Sequence, residues 1–178
     1  MPATLSGSAI RLVDVSPADE PLLGALHETQ AGGFNDLGQP RGPITDDMWT
    51  DGRLRGEHRG TFFVERLRDG RIVGTISYHR VGYGPNPESS ALMIGIDLIP
   101  DARGQGLGTE AQRLLADWLI DTTTINRVEA STDVENLAEA RALEKAGFTR
   151  EGVTRGAQFR AGAYHDLVVF SKLRSDPR

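Results

Sequence analysis

The sequence predicts a single α/β domain built from a sheet of mixed strands and a few helices. Three observations predict it. Strand-sized apolar runs recur along the chain, one strand–glycine loop–helix–strand unit lies in its middle, and 178 residues suit one domain rather than two. The domain is expected to span 1–178, with a core over about 8–173.

Taken in order, residues 9–15 read as a strand with Ile10 and Leu12 on one face. Ser16-Pro17 then opens a helix: serine caps, proline takes the first helical position, and Asp19 sits in the acidic first turn. Leu22, Leu23 and Leu26 give that helix its apolar face. A Gly/Asn/Pro-rich stretch over 32–43 follows, and a second short helix is expected from Thr45, with Met48 and Trp49 for packing. Residues 61–67 and 71–78 read as a hairpin turned by Asp69-Gly70. A Gly/Pro/Asn loop covers 82–87. Residues 91–99 are too apolar for a strand exposed on both faces and are placed centrally. Residues 109–121 carry Ala111, Leu114, Leu115, Trp118 and Leu119 at helical spacing, with Glu110, Arg113, Asp117 and Asp121 opposite. Residues 127–132 read as a strand, and 136–146 as a helix stopped by Gly147. Two strands near 148–155 and 166–172 close the domain. Residues 1–8 and 174–178 are expected to be loose ends.

Twenty basic against twenty-five acidic side chains leave a net charge of −5, which argues against a nucleic-acid partner. The absence of cysteine excludes disulfides, thiol nucleophiles and Cys-type zinc sites. Apolar runs such as Leu167-Val168-Val169-Phe170 are strand-sized, so no membrane span is expected. The first residues lack a basic segment followed by an apolar one, so the expectation is a cytoplasmic protein without a secretion signal.

The sharpest feature is the run Ile99-Pro100-Asp101-Ala102-Arg103-Gly104-Gln105-Gly106-Leu107-Gly108-Thr109, between a buried strand and an amphipathic helix. A helix start offers unpaired N–H donors and about half a positive charge, and glycines let an oxyanion approach the backbone. The loop therefore reads as a phosphate cradle. A nucleoside-triphosphate loop would end in Gly-Lys-Ser/Thr, whereas Gly108 is followed by Thr109. A dinucleotide fingerprint would need a small residue where Thr109 stands and would open the fold, yet several strands come first. Both assignments fail.

The segment Arg103-Gly104-Gln105-Gly106-Leu107-Gly108 resembles the acetyl-CoA pyrophosphate loop of the GNAT superfamily of N-acetyltransferases. The stretch from Asn136 to Phe148, with Glu151-Gly152 and Asp166, resembles the RimJ/RimL-like branch that acetylates ribosomal-protein N-termini. The resemblance implies a mixed, mostly antiparallel sheet of about seven strands with splayed central strands, flanked by about four helices. It implies acetyl-CoA as co-substrate, an amine acceptor, no metal, and a monomer or homodimer. On the same ground, main chain near Leu98 and Ile99 would meet the pantetheine arm. Amides from Arg103, Gly104, Gln105, Gly106, Leu107, Gly108 and Thr109 would hold the pyrophosphate. Asn136 would contact the pantetheine as well as cap its helix, and Arg141 and Lys145 could meet the 3′-phosphate.

Acetylating an amine from a thioester requires that the acceptor lose a proton, that the oxyanion find a donor, and that a thiolate leave. The main-chain N–H of Leu98 or of its neighbour in the splayed strand is the candidate oxyanion donor. Relatives carry a Glu early in the central strand where this chain has Leu92 and Met93, so the base is sought among Asp97, His79 and Glu88, with water relay as an alternative. For the acid, the residues where relatives place Tyr are Ala140, Arg141 and Ala142, and Glu139 stands where the RimJ/RimL-like branch has Ser. Tyr164 and Tyr83 are the substitutes, and Phe34, Asn35 and Trp49 are candidates for shaping the acceptor pocket. Two other readings stay open: a CoA-binding module without catalysis, and a regulator binding another nucleotide.

Overall fold

The computed structural model describes residues 4–29, 33–34, 36, 55–56 and 58–177. The expected helix at Thr45 and the candidates Asn35 and Trp49 lie outside them. The elements are β1 (Leu5–Ser6), β2 (Ile10–Asp14), α1 (Glu20–Glu28), β3 (Arg55–Gly56), β4 (Arg59–Arg66), β5 (Arg71–Gly82), β6 (Ser90–Leu98), α2 (Leu107–Thr122), β7 (Arg127–Asp133), α3 (Leu137–Lys145), β8 (Thr149–Arg160) and β9 (Ala163–Leu173). Single 3-10 turns precede α1 and α2. All strands join one sheet in the order β1-β2-β4-β5-β6-β7-β9-β8, with β3 on β4. The pairings are antiparallel except β6–β7, which is parallel and crossed over by α2. The count exceeds the expected seven strands because β1 and β3, two residues each, carry no periodic signal.

Helix α2 buries Leu115, Ala116, Leu119 and Ile120 against the sheet, and Trp118 meets the edge of Phe62 at 5.7 Å. One member of its expected polar face is buried. Glu110 is buried, and its carboxylate accepts from the Ser8 hydroxyl at 2.7 Å and the Ala9 N–H at 3.0 Å. Burial alone would raise its pKa, but the hydrogen bonds from Ser8 and Ala9 outweigh it and hold the carboxyl below its ordinary value. That clasp, with β1 on β2, ties down residues expected to be loose. Helix α3 ends at Gly147 as the sequence suggests, with the Phe148 N–H donating to the Leu143 carbonyl at 3.0 Å. Strands β8 and β9 run longer than expected, because most of β8 is exposed and so lacks an apolar alternation. Among the described residues no helix is long and apolar enough to cross a membrane.

Candidate functional site

The parallel pair β6–β7 is joined only at Leu92–Val128 and Met93–Glu129. Past that point β6 continues to Leu98 and β7 to Asp133 without facing each other, so a gap opens in the middle of the sheet. On the ladder to β5, the Ile99 N–H donates to the Val73 carbonyl at 2.9 Å. Gly74 and Leu98 are then a pair whose own N–H and C=O groups point away from each other. The Leu98 backbone groups therefore face the gap, and Arg103 Nε donates to the Leu98 carbonyl at 2.8 Å.

The loop stands at the open end of this gap. The Ala102 and Arg103 amides close a short turn on Ile99 and Pro100, and the Glu110 N–H returns to the Gly106 carbonyl at 3.1 Å. Between them, the amides of residues 104–109 have no acceptor among the described residues. Gly104 and Gly106 hold φ of +70° and +79°, a region that a side chain would strain. A Cβ built on either meets nothing within 4 Å, so the glycines leave a clear approach to the amides. Six free donors at the start of a sixteen-residue helix are suited to an anion.

The opposite wall belongs to β7 and α3. Asn136 caps α3: its Oδ1 accepts from the Glu139 N–H at 3.4 Å, and its Nδ2 donates to Thr132 Oγ1 at 2.9 Å, leaving one N–H hydrogen uncommitted. Glu139 is half-buried, and its carboxyl is hydrogen-bonded to Gln112 of α2. Burial first, and then the charge of Asp97, push its pKa up to about 7. At the end of β7, buried Asp133 pairs with Arg160, lies 3.2 Å from His165 Nδ1, and accepts from the Glu135 N–H at 2.8 Å. Arg160 also donates to the Phe34 carbonyl at 2.9 Å and lies over its ring. Among the described residues no group of three or more His, Asp or Glu side chains is placed to hold a metal.

Residues 10–149 match the acetyltransferase (GNAT) domain model. The chain belongs to the GNAT acetyltransferase family. Among curated GNAT relatives, the Bacillus subtilis protein named probable N-acetyltransferase YjcK is 32% identical over 124 residues, covering 70% of this chain and 67% of that one. The ribosomal-protein-serine acetyltransferase of Escherichia coli is 23% identical over 107 residues, covering 60% and 58%. Among solved structures, ribosomal-protein-S5-alanine acetyltransferase from Vibrio fischeri superposes with a TM-score of 0.78 at 19% identity, covering 99% of both chains. Mycobacterium smegmatis RimJ, solved with a CoA disulfide, gives 0.73 at 20% identity, covering 97% of this chain and 85% of that one.

The GNAT fold does not gather the three candidates for the base. Asp97 lies on β6 beside the gap. His79 stands opposite Met93, at the closed end, about 13 Å along the strand from Asp97. Its ring is partly desolvated, and this, with the Arg59 charge across the ladder, lowers its pKa. Glu88 precedes β6, at the end remote from the loop. Of the two tyrosines, Tyr83 donates its hydroxyl proton to buried Glu129, and Tyr164 packs edge-on to Phe159 at 5.2 Å on the exposed tip of the β8–β9 hairpin. The Ile99 N–H is committed to Val73, and the Arg103 N–H makes only a 3.3 Å contact with Pro100. In the sequence Glu139 is marked only as the residue standing where the RimJ/RimL-like branch has Ser. Its burial and its neighbours come from β6 and α2, and no local pattern announces them.

Proposed function

We propose that this GNAT enzyme transfers the acetyl group of acetyl-CoA to a primary amine by direct attack in a ternary complex, the amine being a protein N-terminus or a small molecule. The observation that carries this reading is the row of unpaired amides at residues 104–109, set at the open end of a split between two parallel strands. In it, those amides hold the pyrophosphate, and the extended pantetheine lies along β6 past its last rung to β7. The uncommitted N–H hydrogen of Asn136 meets the pantetheine from the other wall. The Leu98 N–H, aimed into the gap, stabilises the oxyanion as it forms. Holding thioester and amine in one cleft supplies much of the rate by proximity alone. The acetyl group and the amine acceptor are in keeping with the names of the ribosomal-protein acetyltransferase neighbours.

The test is release of free thiol when the protein is mixed with acetyl-CoA and a panel of amines that includes N-terminal peptides and small polyamines. Turnover with at least one amine is expected. Saturable CoA binding without turnover on any of them would leave a binding module. Affinity for another nucleotide with none for CoA would leave a nucleotide-binding regulator.

A further inference from the structure

We propose that Glu139 is the catalytic acid of this protein, giving its proton to the sulfur that leaves the acetyl group. The inference rests on the acetyl-transfer reading above and deepens it. Three elements converge on this side chain. Asn136 caps α3 through the Glu139 N–H, which fixes where the side chain leaves the backbone. From α2, the nearly inaccessible Gln112 is hydrogen-bonded to the Glu139 carboxyl, and its Nε2 donates to the Gly108 carbonyl at 3.2 Å. That couples the carboxyl to the first turn of the helix whose amides stand unpaired. From β6, Asp97 acts on it from four residues past the last rung to β7. Glu139 therefore stands where β6, α2 and α3 meet at the gap.

The facing groups explain why this carboxyl keeps a proton near neutrality. Burial disfavours the carboxylate, Asp97 adds a like charge from β6, and Gln112, the group facing it from α2, is neutral and only partly offsets them. A free thiol has a pKa near ~8.5, so an acid poised near 7 can protonate the departing sulfur at neutral pH.

The step balances as follows. The ammonium of the acceptor gives one proton to solvent. The amine nitrogen forms a bond to the thioester carbon, and the carbon–sulfur bond breaks with its electron pair on sulfur. The Glu139 proton goes to that sulfur. The remaining acidic N–H proton of the adduct returns to the Glu139 carboxylate, so the products are an amide, a thiol and one proton in solvent.

The experiment compares wild type, Glu139→Gln and Asp97→Asn by kcat against pH and by calorimetric CoA binding. In wild type, kcat should fall above about pH 7, where Glu139 loses its proton. Glu139→Gln should lower kcat on the order of 10²-fold, remove that limb and leave CoA affinity in place. Asp97→Asn removes the like charge and should move the limb to lower pH, which a merely structural role for Glu139 would not do. If Glu139→Gln fails to fold, the Asp97→Asn profile decides, and an unmoved limb overturns the inference. Thiol release that Glu139→Gln leaves unchanged overturns the inference alone. No thiol release by wild type with any amine overturns the transfer reading and the inference with it.

Discussion

The two banks of the β6–β7 split treat polar groups in opposite ways. On the β6 side, six consecutive amides at 104–109 lack acceptors among the described residues, and the Leu98 N–H faces the gap. At the end of β7, the Asp133 carboxylate is almost wholly buried, yet it is matched by Arg160, His165 and the Glu135 N–H. Burial opposes its ionisation, but the Glu135 N–H and Arg160 prevail and keep its pKa low. Unmatched donors are costly to a fold unless something arrives to take them. The contrast therefore separates a surface that, on the proposed reading, receives a ligand from a junction that holds three segments together.

The largest effect is expected from breaking the matched bank. Arg160→Met leaves Asp133 buried without its cation and should cost about 3–5 kcal/mol, read as a lower midpoint in urea. A midpoint close to wild type would show that the junction is solvated and that the contrast fails. Next comes the unmatched bank. Gly106→Glu places a carboxylate among the free amides and should weaken CoA binding by roughly 10²-fold or more, about 2.7 kcal/mol. Strain at a φ of +79° adds about 1–2 kcal/mol to its folding cost. Unchanged affinity by calorimetry would remove the loop from the site.

The smallest effect sharpens the boundary between the two. Glu110 lies one residue past the last free amide, yet its carboxylate is fully engaged by Ser8 and Ala9. Its folded pKa is depressed, so its stabilisation is present above the unfolded value near ~4.5 and is lost as pH falls through the lower folded value. Glu110→Gln should cost about 1 kcal/mol at pH 7 and flatten the acid limb of stability, measured by tryptophan fluorescence from pH 2 to 7.

The loop, α2 and the caps of α3 were legible because each is a local pattern: alternate glycines, an i, i+3, i+4 stripe, an Asn before the helix and a Gly after it. What stayed hidden is tertiary. Leu5–Ser6 pairs with β2, and the neighbouring Ser8 is held by a carboxylate 102 positions away. Strand β8 points most of its side chains to water, so its length left no apolar trace. Glu110 and Glu139 both look like solvated helix charges until their neighbours are known. Of the candidates for proton transfer, His79 and Glu88 qualified by residue type, and only the register of β5 and β6 shows how far His79 stands from Asp97.

A sheet parted in its interior behaves like two unfinished edges. Beyond Met93 strand β6 has lost β7 as its neighbour, and a bound ligand with amide groups of its own can act as a surrogate strand. Coenzyme would then serve as a scaffold as well as a reactant, with the filled protein resisting heat and self-association better than the empty one.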